Sequence, residues 1–241
     1  MPAGKPGTTR QDDSEAEAGV MEKWPPTLAV IGLTLRAWWD DWVNMVTLTL
    51  LWWLCWLTIV LGPPATFGLY HVANGLAYGQ SMGPPGWWQG VRRYFWQSWL
   101  WFLANAVMLL VLAVNYFFYA GLQMEWAGYL QALFVLLTLA WLALQFYTLP
   151  LFMEQDEKSL RQAWRNGALT ILASPGHALV ILSAAFLIAA FSIRTLAPLF
   201  LGVPCLLALL GCRSVRERLE TFGLRYSEPN GEQRKRNDSA T

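Results

Sequence analysis

The chain has 241 residues, of which 55% are hydrophobic and only 14% are charged, whereas soluble domains carry about 25% charged residues. Its formal net charge of +1 gives no basis for a nucleic-acid partner, and the placement of the charges excludes an ordinary soluble protein. No Asp, Glu, Lys or Arg occurs in residues 42–91, 94–124, 126–153, 166–193 or 195–212. Because about 20 apolar residues at 1.5 Å per residue cross a ~30 Å hydrocarbon core, these runs predict an all-α, polytopic bundle of transmembrane helices.

The N-terminal part of the chain predicts a polar tail, a surface helix and a first span. Residues 1–24 are polar and acidic and lack the basic-then-apolar order of a secretory signal, so we predict a disordered tail. Thr27 can cap a helix whose apolar residues recur at helical spacing, which favours a helix lying in the membrane surface. The first span is predicted for residues 42–61, and Gly62-Pro63-Pro64 ends it because proline lacks the amide donor.

A weaker apolar segment follows at residues 65–79, and it contains His71. Gly75 and Gly79 are four residues apart, a spacing that lets a neighbouring helix approach closely within a membrane. We expect Gly75, Gly79 and His71 to be helix-packing residues, with His71 hydrogen-bonded. Proton sensing or ligand binding is the functional alternative for His71, because it is the one intramembrane titratable candidate apart from cysteine and tyrosine, while His177 lies at a membrane edge.

The first of two basic amphipathic helices follows a predicted chain break at residues 83–86. It is rich in aromatic residues, carries Arg92 and Arg93, and leads into a strongly apolar span at residues 98–119. A short loop then connects to a span at residues 127–152. This order predicts a basic helix at the membrane surface immediately before a hydrophobic hairpin.

The second basic amphipathic helix is predicted to open at Asp156, which is a suitable N-cap residue. Spans at residues 177–193 and 196–211 follow it, and an arginine cluster follows the last span. The basic residues of the two helices and the cluster are candidate contacts for a cytoplasmic partner or for anionic lipid. They are Arg92, Arg93, Lys158, Arg161, Arg165, Arg213, Arg216 and Arg218.

The number of spans decides the orientation of the predicted transmembrane domain, residues 25–221. If residues 65–79 cross the membrane, there are six crossings, and the loop with Arg194 is the one basic loop on the outer side. If they do not cross, five crossings put the two ends on opposite sides. Because Lys and Arg favour cytoplasmic loops, we predict six crossings with both termini cytoplasmic. Residues 222–241 are predicted to form a second disordered tail.

The sequence contains no motif that indicates an enzyme or a cofactor site. The predicted spans lack the Asp, Glu, Lys and Arg residues that coupled transport generally uses. The three cysteines have no metal-ligand spacing, and there is no glycine loop for phosphate. Asn105 and Gln145 could line a polar path through the spans or form hydrogen bonds between helices. We therefore expect neither catalysis nor a bound metal or cofactor.

Three features of the sequence occur in an informative order. They are Leu61-Gly62-Pro63-Pro64-Ala65 with Leu69 and Tyr70, the aromatic and basic run from Trp87 to Ser98, and Leu149-Pro150-Leu151-Phe152 with Leu160, Ala163, Asn166 and Ala168. Together they resemble the YesL-like family of bacterial integral membrane proteins, domain-of-unknown-function family 624, over residues 28–219. Some members are associated with polysaccharide-use loci that also encode sugar importers. The resemblance therefore implies a non-catalytic accessory component of carbohydrate uptake that contacts subunits of a sugar-import complex; the alternative is a small permease for a neutral solute.

Overall fold

A computed structural model of the protein describes residues 26–122, 124, 126–195 and 202–223. All regular elements in these residues are α-helices, which confirms the predicted all-α fold for the described part of the chain. They are α1 (Pro26–Asp40), α2 (Trp42–Leu57), α3 (Gly62–Ala77), α4 (Gly83–Arg93), α5 (Phe95–Ala120), α6 (Ala127–Glu154), α7 (Leu160–Ala173), α8 (Pro175–Thr195) and α9 (Val203–Thr221). The predicted tail at residues 1–24 lies outside the described residues, as does the predicted C-terminal tail beyond residue 223.

Three of these helices are long and apolar enough to cross a membrane. They are α5, α6 and α8, with 26, 28 and 21 residues. At 1.5 Å per residue each is at least about 30 Å long, which matches the thickness of a hydrocarbon core. Helix α2 is also apolar but has 16 residues. The described residues therefore form a helical membrane protein with at least three helices of spanning length.

Prolines lie in the first turns of two helices, at places where the sequence analysis predicted a break between helices. Gly62-Pro63-Pro64 forms the first turn of α3, and Pro84 and Pro85 lie in the first turn of α4. The predicted breaks between helices are present at residues 58–61 and 78–82, but the prolines belong to the helices that follow, for a physical reason. The amide groups of a first turn have no acceptor within the helix, so a missing N–H costs nothing there.

Helix α3 is the central helix of the bundle, and it packs against α2, α4, α5, α6 and α9. Its closest contact is with α4, where a Cβ atom placed on Gly90 would lie 2.8 Å from the Cβ atom of His71 and 3.1 Å from the Cα atom of Gly68. The indole nitrogen of Trp87 also donates a hydrogen bond of 3.2 Å to the carbonyl oxygen of Ala65. Helix α4 is thus docked on α3 by two glycines from different helices.

The predicted helix-packing pair Gly75 and Gly79 does not form one helix face. Helix α3 ends at Ala77, and Gly79 lies in the following turn with a φ of +76° and nothing within 4 Å of its Cβ position. Gly75 is buried within α3, but its neighbour is the side-chain tip of Met82 in the loop before α4. The prediction for Gly79 is therefore corrected, since this glycine makes a turn with positive φ.

Helix α1 is docked on the bundle, although an amphipathic surface helix was predicted. Val30 packs with Ile181 of α8 and Leu210 of α9 in one buried cluster. At the other end of α1, the indole nitrogen of Trp38 donates a hydrogen bond of 3.2 Å to the carbonyl oxygen of Gly202. Helix α1 therefore lies alongside α9, with contacts near both of its ends.

The last predicted span, residues 196–211, has a different form in the structure. Gly202 has a φ of +118°, and α9 begins at the next residue. Ten uncharged residues, 203–212, then precede Arg213. About 15 Å of helix is half of a hydrocarbon core, so the described part of this segment does not span by itself. Residues 196–201 lie outside the described residues.

The distal halves of α5 and α6 form an antiparallel arm that is packed mainly on itself. We define the arm as residues 107–120 and 127–140. Its buried residues are Leu112 and Ala127, while most of its large apolar side chains are exposed. The rings of Tyr119 and Phe134 stack across the arm with centroids 5.6 Å apart. Such apolar exposure is expected where a helix pair faces lipid.

Candidate functional site

The opposite end of the bundle carries the predicted basic residues. Tyr94, Phe152 and Leu160 belong to one buried cluster, which brings the end of α4 beside the end of α6 and the start of α7. Four of the predicted arginines are exposed on these two neighbouring helices, and we call them the four-arginine face. They are Arg92 and Arg93 on α4, and Arg161 and Arg165 on α7.

Aromatic rings hold the two arginines of α4 in place. The guanidinium carbon of Arg92 lies 5.1 Å from the ring centroid of Trp88, and that of Arg93 lies 5.6 Å from the centroid of Tyr94. A cation over an aromatic face is stabilised by about 0.5–1 kcal/mol at exposed sites. Both charges are therefore oriented by neighbouring rings while their polar groups remain available to a partner.

The two arginines of α7 border an open polar groove of about 540 Å³, which Ser159, Gln162 and Asn166 also line. Ser159 occupies the N-cap position of α7, so the prediction that Asp156 caps this helix is wrong. Asp156 lies in the bend before it and is exposed. The groove combines two permanent cations with neutral hydrogen-bonding groups, which is the chemistry of an anion site.

Lys158 is not part of this exposed face, because its ammonium group turns back onto the end of α6. It donates hydrogen bonds to the carbonyl oxygens of Met153, at 2.7 Å, and of Gln155. Burial and the charge of Arg93 lower the pKa of Lys158, while Glu154 and Asp156 act in the opposite direction. Lys158 thus caps the last carbonyl groups of α6, and its predicted contact role is corrected.

The predicted arginine cluster of α9 is bound within the protein rather than open to a partner. Arg216 donates to the carbonyl oxygen of Ala77, lies 4.4 Å from the ring centroid of Tyr78, and forms a 2.8 Å bond with Glu220. Arg218 forms a two-pronged ion pair with its neighbour Glu217. The half-buried Arg213 has an Nε atom with no hydrogen-bond partner among the described residues. Arg216 thus joins α9 to the end of α3, whereas Arg218 is paired within α9.

A carboxylate that sequence analysis missed lies beside this cluster. The Tyr78 hydroxyl donates a hydrogen bond of 2.8 Å to Oε2 of Glu154, at the last turn of α6. The carboxylate therefore connects α6 to α3, and its position one residue after an uncharged run gave no signal of this role.

Three helices meet at His177, near the start of α8. Its Nε2 atom is 2.9 Å from the Oγ atom of Ser214, and its Nδ1 atom is 3.1 Å from the Oγ1 atom of Thr27. Oε2 of Glu217 lies 3.7 Å from the same Nδ1 atom. The serine, histidine and acid have the order of a nucleophile relay. However, Ser214 has no exposed surface, so no substrate carbonyl can reach its hydroxyl in this conformation.

His71 lies near the four-arginine face, on the side of α3 that packs against α4. Its ring is edge-on to Tyr94, with centroids 5.9 Å apart, and its Cβ atom is next to Gly90. The structure places His71 between helices, and among the described residues its ring makes an aromatic contact and not the expected hydrogen bond.

A polar cluster rich in tryptophan lies where α5, α6 and α7 meet. The Oε1 atom of Gln145 accepts hydrogen bonds from Trp101 at 2.9 Å, Asn105 at 3.3 Å and Trp164 at 3.4 Å. Trp141 donates to Oδ1 of Asn105 at 3.1 Å. The Nε2 atom of Gln145 is buried and has no partner among the described residues. Of the two roles expected for Asn105 and Gln145, bonding between helices is the one that these contacts support.

Comparisons with family models, with curated proteins and with solved structures find no match. The described residues also contain no group of three or more His, Cys, Asp or Glu side chains that could hold a metal ion. The described residues form a helical membrane protein with an apolar arm at one end and four exposed arginines at the other.

Proposed function

We propose that this protein is a non-catalytic component of the bacterial inner membrane that acts by holding a cytoplasmic partner on its four-arginine face. One observation carries the proposal. Arg92, Arg93, Arg161 and Arg165 are exposed on α4 and α7, whereas Lys158, Arg216 and Arg218 at the same end are bound internally. Exposed arginines that form no ion pair with the described residues are suited to an acidic protein surface.

The proposed orientation has six crossings and both termini in the cytoplasm. Helices α2 and α3 are joined by the tight turn of residues 58–61, so they can cross as a hairpin. Each is about 24 Å long, short of a ~30 Å core, and α3 is sheltered by its neighbours. The exposed basic residues then lie inside, and Arg194 at the end of α8 lies outside. If α2 crosses and α3 does not, the five-crossing alternative applies.

The proposed partner is a subunit of a sugar-import complex. This part of the proposal rests on the resemblance to the YesL-like family, which supplies the carbohydrate context by association. The exposed arginines support the proposal, because they suit contact with another protein. The sequence has no nucleotide-binding loop, so ATP-driven work would need another subunit.

The alternative function is a small permease for a neutral solute. The observation in its favour is the Nε2 atom of Gln145, a hydrogen-bond donor between helices α5, α6 and α7 that has no acceptor among the described residues. The other polar groups of that cluster bond to each other. Saturable uptake of a sugar by liposomes that contain the purified protein alone would establish the permease and refute the accessory function.

Crosslinking in intact cells followed by mass spectrometry tests the proposed partner. The wild-type protein should recover subunits of a sugar importer. The double variant Arg92→Gln/Arg93→Gln should lower that recovery several-fold without changing the amount of protein in the membrane, because it removes two oriented charges. Arg194→Gln, an exposed arginine at the opposite end, is the matched control and should leave recovery unchanged. Equal recovery by all three proteins contradicts the proposal.

A further inference from the structure

An apolar groove of about 460 Å³ runs along the side of α5 that faces α7. Leu100, Leu103, Val107 and Val111 of α5 line it, together with Trp141 of α6 and Trp164 of α7. The four aliphatic side chains are exposed, so the groove is open to whatever surrounds the helices. In a membrane protein the surroundings at this position are acyl chains.

The length of the groove matches one leaflet of a bilayer. From Leu100 to Val111 helix α5 rises about 16 Å, which is half of a ~30 Å hydrocarbon core. Trp164 lies at the end of the groove nearer to the four-arginine face, because it bonds to Gln145 at the level of Trp101. Trp141 lies one turn further along the groove, where it bonds to Asn105. Indole rings are typical of the boundary between acyl chains and headgroups.

The cationic side chain of Arg161 lies beyond the Trp164 end of the groove. Arg161 precedes Trp164 by one helical turn on α7 and is exposed. It also borders the polar groove of about 540 Å³ described above, where Gln162 and Arg165 are its neighbours. An apolar groove of leaflet depth therefore meets a site suited to anions along one helix. Guanidinium groups match phosphate oxygens in a two-pronged geometry.

We propose that the apolar groove and the polar groove beside it together bind one anionic phospholipid. Its acyl chain lies in the apolar groove beside Trp141 and Trp164, and its phosphate lies on Arg161. The charge of the headgroup complements Arg161 and Arg165, and the chain covers the exposed leucine and valine side chains. The lipid would use the two arginines of α7 and leave Arg92 and Arg93 of α4 for the protein partner proposed above, so the two proposals can fail independently.

Native mass spectrometry tests the proposal on the full-length protein, purified from bilayers that contain phosphatidylglycerol and phosphatidylcholine with identical acyl chains. The wild-type protein should retain one phosphatidylglycerol in preference to phosphatidylcholine. Arg161→Gln should lower that retention about fivefold, which corresponds to ~1 kcal/mol for one basic residue near a membrane surface. Arg161 is exposed, so this substitution leaves the packing intact.

Ala104→Phe tests the acyl-chain groove separately, because Ala104 lines it and a phenyl ring would fill it. This variant should lower retention of both lipids, while the control Arg194→Gln should behave like the wild type. Displacement of the lipid by millimolar inorganic phosphate would show a simple anion site and overturn the proposal. Equal retention of the two lipids by the wild-type protein, or unchanged retention in either Arg161→Gln or Ala104→Phe, would also overturn it.

Discussion

The two ends of this molecule are built from similar helices but are stabilised by different surroundings. At the packed end α3 is buried by five other helices, and polar side chains such as Glu154 and Arg216 have partners within the protein. In the arm, residues 107–120 and 127–140, side chains are apolar and mostly exposed. Hydrophobicity is high in both regions, so it cannot by itself distinguish helix-facing from lipid-facing residues.

The difference lies in small residues and polar pairs. Lipid is as apolar as leucine, so exposing Leu110 costs nothing in a bilayer, and association of helices depends on close packing and hydrogen bonds. The packed end has both, at Gly68 with Gly90 and at Gln145. Substitutions should therefore destabilise the packed end through sterics and unsatisfied donors, and should affect the arm only where side chains pack on each other.

The largest expected effect is at the crossing of α3 and α4. Gly90→Leu places a side chain against the backbone of Gly68 and the Cβ atom of His71, neither of which can move freely. We expect a loss of about 3 kcal/mol in thermal unfolding of the purified protein. The matched control is Gly128→Leu, at a position with nothing within 4 Å, which should unfold like the wild type. Equal melting of the two variants would mean that α4 is not docked on α3.

The second effect concerns the polar cluster. Gln145→Leu removes the acceptor of Trp101, Asn105 and Trp164, and buried donors left without a partner are costly. We expect a loss of about 2 kcal/mol, measured by the same unfolding experiment. Gln131→Leu, in the arm, is the control and should change stability by less than about 0.5 kcal/mol. A stabilising Gln145→Leu substitution would contradict the hydrogen-bonding role.

A smaller effect separates two leucines of the same helix in the arm. Leu112 is 4% exposed and Leu110 is 63% exposed. Leu112→Ala should cost about 1–2 kcal/mol because it loses packing against α6, less than the 2–5 kcal/mol of a water-soluble core. Leu110→Ala should cost almost nothing. If Leu110→Ala is the more damaging in reconstituted bilayers, the arm has a further protein neighbour at that face.

The smallest effect tests the corrected role of Gly79. Its φ of +76° disfavours any side chain although the space around it is open, so Gly79→Ala should cost about 1 kcal/mol. Gly176→Ala is the matched control, since its surroundings are equally open and its φ is not positive. A close helix contact at Gly79 would instead give a penalty that grows steeply from Ala to Leu.

The sequence predicted the long helices well, because a long uncharged apolar run in a membrane forms a helix. Helix α5 was expected at residues 98–119 and extends over Phe95–Ala120, and α6 was expected at 127–152 and extends over Ala127–Glu154. The starts of α3 and α4 were missed because proline permits a first turn as readily as it breaks an interior one.

The candidate site was predicted in part. The exposed Arg92, Arg93, Arg161 and Arg165 follow from basic residues on amphipathic helices, which local sequence reveals. The internal bonds of Arg216 could not be predicted, since its partner Ala77 is 139 residues away. The same applies to the contact of Gly90 with Gly68 and to the pairing of His177 with Ser214. These contacts depend on tertiary packing that no short motif encodes.

Cysteine accessibility in intact cells tests most directly whether the four-arginine face is cytoplasmic. Single cysteines replace Val60, Gln89, Met124 or Gln162, all exposed, in a chain without its three buried native cysteines. A membrane-impermeant thiol reagent should label Val60→Cys and Met124→Cys from outside, and should label Gln89→Cys and Gln162→Cys only after the cells are permeabilised. Labelling of Met124→Cys without Val60→Cys would favour the five-crossing alternative. Labelling of Gln89→Cys or Gln162→Cys in intact cells would contradict the account, because the four-arginine face would then lie outside the cell.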